Sequence, residues 1–345
     1  MIQVSNVARI CHFCWEISYK IRTGAVFLFL LFELLSVQLC FVCSRRTTPI
    51  LQAIQSPNTK ILTAFQIKVI ALVCMTLDHL AAFGFELSIF ERYSSILRTV
   101  GRVAAPLFLF VLIQSIRHTR SRRKLLLRLY IAAMCVGLFD TAINFFFGEI
   151  LGYRTPGNII FTFFYVAFYS SLLEWMIISY KNKKIRSLVS EIFIFVLSFF
   201  PSIFFHNIYS VVPSGTDIAH RFLFQGFRTS FIPSFYDVDY GIGFIFLGVL
   251  LYFAKTKKRQ CITFAFFCLF CILGVFAVKL FPAILYISLC GFTSTFFDPF
   301  QCRMICALPF VMLYNGERGR TCKWFFYWYY PVHRQLIAIA SALAA

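Results

Sequence analysis

Three ionisable residues lie in apolar segments of the chain, where a charge is costly. Asp78 and His79 belong to the apolar run 67–87, and Arg102 belongs to the next one, 98–116. A charged side chain inside a membrane span costs about 3 kcal/mol or more, and it commonly marks a functional site. The two runs cross in opposite directions, so we expect Asp78 and Arg102 to pair and thereby offset the cost of burying both charges.

His79 gives this group its possible chemistry. An imidazole gains and loses a proton near neutral pH and therefore suits a general base. Neighbours on a helix point about 100° apart, so we do not expect Asp78 to orient His79 directly. We predict that His79 is the catalytic base and that Asp78 and Arg102 set its electrostatic surroundings. The plain alternative is that Asp78 and Arg102 only lock two helices together.

A dense basic cluster follows the second of these runs. Beside His118, it contains Arg117, Arg120, Arg122, Arg123, Lys124 and Arg128. Such a cluster can hold the phosphates of a soluble co-substrate at the membrane face. The residues predicted to bind that co-substrate are Arg117, His118, Arg122, Arg123 and Lys124. The simpler alternative is that the cluster only anchors the topology of the chain.

The composition shows what must position these residues. The chain has 345 residues, of which 60% are hydrophobic and 14% are charged, and 46 are phenylalanine. The mean hydropathy is +0.78. A soluble domain carries about 25% charged residues, so lipid must solvate many of these side chains. The sequence therefore predicts an all-α polytopic integral membrane helix bundle with about nine to eleven transmembrane helices.

The apolar runs define the candidate spans. They are 25–43, 67–87, 98–116, 125–147, 158–180, 186–205, 236–254, 261–280, 282–297, 301–314 and 324–343. Two further basic clusters follow the first: Lys181, Lys183, Lys184 and Arg186 form the second, and Lys255, Lys257, Lys258 and Arg259 form the third. Two spans separate each cluster from the next, so the three share one side, which should be the cytoplasm. A multi-pass protein of the cell membrane is expected. The side of the last basic group, at 318–323, depends on how often 282–314 crosses, and 206–235 is interpreted as an outer loop.

Several other classes of protein are disfavoured. The net charge of +19 is spread over short clusters between spans, which does not favour a nucleic-acid partner. A metal site is not predicted, although two CxxC pairs occur near the N-terminus, because the apolar run 25–35 separates them. Residues 1–60, with one uncertain span, are predicted to form an appendage to a membrane domain at 61–345. No phosphate-loop, GxSxG or HExxH motif is present.

Five segments carry a resemblance to a known family. They are FQIKVIALVCMTLDHLAAFG (65–84), GRVAAPLFLFVLIQSIRHTRSRRKLLLRL (101–129), GNIIFTFFY (157–165), LYNGERG (313–319) and FFYWYYPVH (325–333). In this order they resemble the TraX family over roughly residues 63–340. The matching positions are Asp78, His79, Arg102, Pro106, Arg117, His118, Asn158, Asn315, Gly316, Pro331 and His333. Two features depart from it: residues 1–60 have no counterpart, and Arg334 stands where an apolar residue is expected.

The resemblance implies a multi-spanning membrane acetyltransferase, since the family is named for a protein that acetylates the N-terminal amine of conjugative pilin. It implies acetyl-CoA as co-substrate and a peptide or glycan acceptor at the membrane, which carries an amine or a hydroxyl. The rival from another class is a secondary transporter or flippase, in which Asp78, His79 and Arg102 form a proton or substrate site. A third reading is a structural subunit of a secretion or conjugation machine, which leaves the buried charges without a role.

Overall fold

The helical membrane bundle expected from composition is confirmed. A computed structural model describes residues 61–83, 88–151, 157–202, 218–234, 238–280 and 301–344. The helices are α1 (Ala64–Phe83), α2 (Ser88–Gly101), α3 (Ala104–His118), α4 (Arg122–Leu151), α5 (Ile159–Lys181), α6 (Ile185–Leu197), α7 (Ile218–Phe231), α8 (Gly241–Phe253), α9 (Lys257–Leu280), α10 (Leu308–Met312) and α11 (Lys323–Ala344), with a 3-10 helix at Gln301–Ala307 before α10.

Five helices in the described part of the chain are long and apolar enough to cross a membrane. They are Ala64–Ala82, Arg92–His118, Arg122–Glu149, Ile159–Lys181 and Ile185–Ser202. The predicted spans 25–43 and 282–297 lie outside the described residues. The predicted span 301–314 is a 3-10 helix followed by the short α10. α3 lies at the centre of the bundle with most of its side chains buried, whereas α6 buries none and presents its apolar surface outward.

The predicted span 98–116 contains a short turn at the charged residue Arg102, within the longer span Arg92–His118. α2 ends at Gly101 and α3 begins at Ala104, so Arg102 lies in a tight turn between two helices. Pro106 sits in the first turn of α3, where the missing N–H of proline costs no helical hydrogen bond. A side chain at Gly101 would overlap that of Asp78. The glycine therefore lets α1 approach this turn closely.

α7 corrects the interpretation of 206–235 as a loop. Its apolar side chains are interrupted by His220, Arg221, Gln225 and Arg228, so no long apolar run marks it in the sequence. It packs along α4 through small residues: Gly137 of α4 faces Ser230, and Gly226 of α7 faces Thr141. Close backbone approach at such residues is the usual way helices associate inside a membrane.

Asn158 caps the start of α5. Its side-chain oxygen accepts a hydrogen bond from the backbone N–H of Ile160 at 3.1 Å, which is an N-cap. Its amide nitrogen also donates to the carbonyl oxygen of Ala133 at 2.8 Å and so ties the cap to α4. The oxygen and the nitrogen of this buried side chain therefore both have a backbone hydrogen-bond partner.

Contacts place all the basic groups at one end of the bundle. Arg117 reaches the carbonyl oxygen of Lys255, which joins the first cluster to the third. Arg122 pairs with Glu174, two turns before the second cluster begins. Lys257 donates to the carbonyl oxygen of Tyr314 at 2.8 Å, so the 313–320 segment lies at this end as well. The last basic group, at 318–323, therefore lies at the same end as the first three, and we call this face the basic end.

We predict opposite accessibility for cysteines placed at the two ends. In a background without the native cysteines, a cysteine at Asn182 should react only with reagents that cross the membrane, because the positive-inside rule predicts a cytoplasmic position for the basic end. A cysteine at Glu149, which is exposed at the far end of α4, should react with an impermeant maleimide in intact cells. Equal labelling of both positions from outside would contradict this topology.

Candidate active site

A cavity of about 290 Å³ opens among α1, α3, α4, α5, α8 and α11. The polar residues that line it are Asp78, His79, Asn144, Asp239, Tyr240, Tyr330, Arg334 and Gln335. Asp78 lies about 21 Å along α1 from its first residue at the basic end. Since the hydrocarbon core of a bilayer is about 30 Å thick, the cavity lies in the half farther from the basic end.

The predicted pairing of Asp78 with Arg102 is confirmed. The Oδ1 atom of Asp78 lies 3.7 Å from Nη2 of the buried Arg102. A second guanidinium, that of Arg98, lies 3.4 Å from the same oxygen. Arg98 and Arg102 are four residues apart, so they meet Asp78 from one side of the α2–α3 turn. Asp78 lines the cavity and the two guanidinium groups lie behind it, so one carboxylate and two guanidinium groups leave a net positive charge at this wall.

His79 is part of a pair of imidazoles. Its Nδ1 atom lies 2.8 Å from Nε2 of His333, which α11 supplies from the other end of the sequence. Nδ1 of His333 lies 2.6 Å from the carbonyl oxygen of Tyr329, one turn earlier on α11. The planes of the two imidazole rings differ by 13°, and their centroids lie 4.9 Å apart. Asp78 takes no part in this chain of contacts, in agreement with its direction on α1.

The opposite wall carries a second ion pair. Arg334 and Asp140 form a buried salt bridge, and Gln335 donates to the other carboxylate oxygen of Asp140 at 2.6 Å. Arg334 also donates to the carbonyl oxygen of Gly157 at 3.1 Å. Asp140 of α4 thus makes a polar contact with α11, and Arg334 is the residue that departed from the family pattern. The structure explains both residues, since each is the other's partner.

Asp239 adds a further carboxylate to this wall. Its Oδ2 atom accepts a hydrogen bond from the hydroxyl of Tyr330 at 3.4 Å, and its other oxygen lies against the Cα atom of Gly157. With Asp140 and Arg334, the wall holds two carboxylates and one guanidinium. The cavity is therefore polarised, with excess positive charge beside α1 and excess negative charge beside α11.

The predicted phosphate-binding cluster divides into two parts. Arg117 donates from Nη2 to three carbonyl oxygens at the end of α8, those of Leu251, Tyr252 and Ala254, at 2.6 to 3.2 Å. Arg122 pairs with Glu174 and donates to the hydroxyl of Tyr252 at 2.7 Å. These two arginines therefore hold the basic end together, whereas His118, Arg123 and Lys124 are exposed on its surface. The role of all five in binding a co-substrate stays a prediction.

The two groups of predicted site residues do not meet. Arg117 and Arg102 are joined by α3, which places the basic cluster about 22 Å from Arg102. Among the described residues, no group of three or more His, Cys, Asp and Glu side chains could hold a metal ion. The N-terminal pairs Cys11, Cys14, Cys40 and Cys43 lie outside them.

Sequence reasoning missed some members of the site. Arg98 had a usable signal, because it precedes Arg102 by one helical turn and carries the same charge. Asp239 had only a weak one, since it stands in a short polar segment before an apolar helix. His333 was visible through the family resemblance, but its contact with His79 joins positions 254 residues apart. No local sequence pattern predicts such a contact.

These features define a helical membrane protein with a histidine pair in a polarised cavity. The TraX protein family matches residues 64–210, which contain Asp78, His79, Arg102 and the basic cluster. The resemblance to that family is thus confirmed for this part of the chain. The match stops before the segments at 313–319 and 325–333, where the resemblance stays a prediction.

A similar curated protein is the probable fimbrial assembly protein FimC, serogroup H1, of Dichelobacter nodosus. It is 35% identical over 104 residues, which are 29% of this chain and 42% of that protein. The chain thus spans less than half the length of this relative. No solved structure matches the chain.

Proposed function

We propose that this protein transfers the acetyl group of acetyl-CoA to an amine or hydroxyl acceptor at the cell membrane. The observation that supports the proposal best is a half-buried imidazole, His79, that lines the cavity together with Asp78, which contacts two guanidinium groups. Acyl transfer needs a base for the acceptor and positive charge for the oxyanion that forms on the thioester carbonyl. One wall of the cavity offers both.

The proposed reaction uses the groups in fixed roles. His79 removes the proton from the acceptor nitrogen or oxygen as that atom forms a bond to the acetyl carbonyl carbon. The positive wall at Arg98 and Arg102 stabilises the carbonyl oxygen as its negative charge grows. The C–S bond of the thioester then breaks, and the proton on His79 passes to the departing sulfur of CoA. The base is thus returned to its starting state.

The separation of the two charged regions sets the path of the donor. With its phosphates at the basic end, acetyl-CoA must extend its arm about 22 Å along α3 to bring the thioester to His79. The acceptor would approach from the other side of the membrane, because the cavity lies in that half of the bundle. The match to the TraX family and the similarity to a fimbrial assembly protein favour a pilin-like peptide as this acceptor, with a membrane glycan as the alternative.

The direct test is acetyl transfer by the purified protein. We expect label from acetyl-CoA to reach a pilin-like peptide with a free N-terminal amine, or a hydroxyl acceptor if the peptide stays unlabelled. The matched control is the same peptide with its amine blocked. If acetyl-CoA stays intact with every acceptor, while the protein moves a solute or lipid across vesicles, the transporter alternative is correct instead.

The exposed part of the basic cluster gives a prediction on donor binding. Replacing Arg120, Arg123 and Lys124 by glutamine should raise the KM for acetyl-CoA by at least about tenfold, because charge-assisted hydrogen bonds to phosphate are lost. The kcat should change less, since the chemistry lies elsewhere. Arg117 and Arg122 are left in place because they support the fold.

A matched control removes the same charge from another part of the basic end. Changing Lys181, Lys184 and Arg186 to glutamine should leave the KM near its original value. Added salt should weaken donor binding in the unmodified protein, because exposed charges are screened over about 8 Å at physiological ionic strength. If the KM rises equally in both triple variants, the first cluster has no specific role in donor binding and only anchors the topology of the chain.

A further inference from the structure

We infer that His333 is the positioning residue for the base: it holds neutral His79 in the tautomer that carries its proton on Nδ1. The inference rests on the proposed function for its chemical meaning, but its geometry stands alone. His333 is fully buried, with an exposed fraction of 0%. It joins the backbone of α11 to the imidazole of His79 through two short contacts, at 2.6 and 2.8 Å.

The direction of both hydrogen bonds follows from the carbonyl group. A carbonyl oxygen can only accept, so the Nδ1 atom of His333 must carry the proton that it donates to Tyr329. In a neutral imidazole the other nitrogen then has a lone pair. Nε2 of His333 is therefore the acceptor, and Nδ1 of His79 is the donor. The basic lone pair of His79 is left on its Nε2 atom.

The rings are held in place by stacking as well as by hydrogen bonds. The planes of His79 and His333 differ by 13°, and the ring of Tyr329 stacks on His333 with centroids 4.6 Å apart. The hydroxyl of Tyr329 lies 2.7 Å from that of Thr76, three residues before His79 on α1. This contact joins α1 and α11 beside the imidazole pair, which leaves the rings of the pair little freedom to turn.

The pair also accounts for the charge that appears during transfer. When Nε2 of His79 takes the acceptor proton, its Nδ1–H still donates to Nε2 of His333. The positive charge is then stabilised through His333 toward the carbonyl of Tyr329. A carboxylate does this work in a Ser-His-Asp triad. Here Asp78 is occupied by Arg98 and Arg102, so an imidazole and a backbone carbonyl take that place.

Two substitutions test the roles of the two ring nitrogens of His333 separately. In His333→Gln the amide group falls near Nε2, so an oxygen can still accept from His79. In His333→Asn the amide falls near Nδ1, so the contact with Tyr329 is kept while the acceptor for His79 is lost. We expect His333→Asn to lower kcat at least about tenfold, with little change in the KM for acetyl-CoA. We expect His333→Gln to restore kcat close to that of the unmodified protein.

The tautomer itself can be measured without any turnover. The chain has 6 histidines, so nitrogen-15 spectra of the histidine-labelled, full-length protein are simple, and His79→Gln identifies the signals of His79. We expect His79 and His333 both to show protonated Nδ1 and unprotonated Nε2. We expect His333→Asn, but not His333→Gln, to let His79 populate both tautomers. Thermal unfolding of both variants checks that they fold.

The outcomes distinguish this inference from the proposed function. Protonated Nε2 on His79 in the unmodified protein overturns the inference, whatever the activity. Equal kcat in His333→Asn and His333→Gln, with both proteins folded, overturns it too. If the unmodified protein transfers no acetyl group while its spectra show the expected tautomers, the histidine pair stands and the proposed function fails.

Discussion

We expect His79→Ala to lower kcat for acetyl transfer by about 10²–10⁴-fold, which is the usual contribution of a general base. The variant should still fold and bind acetyl-CoA, because the phosphates are proposed to bind at the basic end. Some stability should be lost, about 1–3 kcal/mol, since the buried Nε2 atom of His333 no longer has His79 as its donor. Steady-state kinetics, donor binding and thermal unfolding measure the three quantities separately.

His118→Ala is the matched control for this experiment. His118 is exposed at the end of α3, at the basic end of the bundle, so its loss should leave kcat unchanged and affect at most the KM for acetyl-CoA. Near-normal turnover of His79→Ala would show that the base lies elsewhere. A large fall of kcat in His118→Ala would move the chemistry to the basic end and contradict the assignment of the cavity.

The largest loss of stability is expected from breaking the pair of Asp140 and Arg334. Their side chains are 5% and 7% exposed, so removing one partner leaves a buried charge uncompensated. Arg334→Met should lower the free energy of unfolding by about 3–5 kcal/mol, and Asp140→Leu should do the same. The double variant should be more stable than either single one, because it buries no unpaired charge. Unfolding of the four proteins completes the cycle.

The pair of Asp78 and Arg102 provides the comparison for this cycle. Arg102→Gln should cost less than Arg334→Met, because Arg98 still lies 3.4 Å from the carboxylate of Asp78. Asp78→Asn should cost more than Arg102→Gln, since it leaves two guanidinium groups without a counter-charge. Additive effects of Asp140→Leu and Arg334→Met would show that these residues are not coupled and would contradict the described wall of the cavity.

The sequence alone determined those features that depend on local composition. Hydropathy is a property of each segment, so it predicted the membrane bundle, α1, α4, α5 and α11 without knowledge of their neighbours. The positive-inside rule acts on single loops, and it correctly grouped the three basic clusters. Asp78 and Arg102 could be paired because consecutive antiparallel spans must lie side by side and because an unpaired charge in lipid is costly.

Only the tertiary structure decided which distant residues share the cavity. α11 brings His333 to His79 and Arg334 to Asp140, and such contacts depend on the packing of helices that are remote in the sequence. The same packing gives Arg117 and Arg122 hydrogen-bond and ion-pair partners within the protein. It also makes the polar segment 218–231 a helix, α7. Hydropathy and charge are additive along a chain, whereas the choice of partner depends on the shape of the whole bundle. That is why the sequence identified the charged residues, and the fold determined which of them act together.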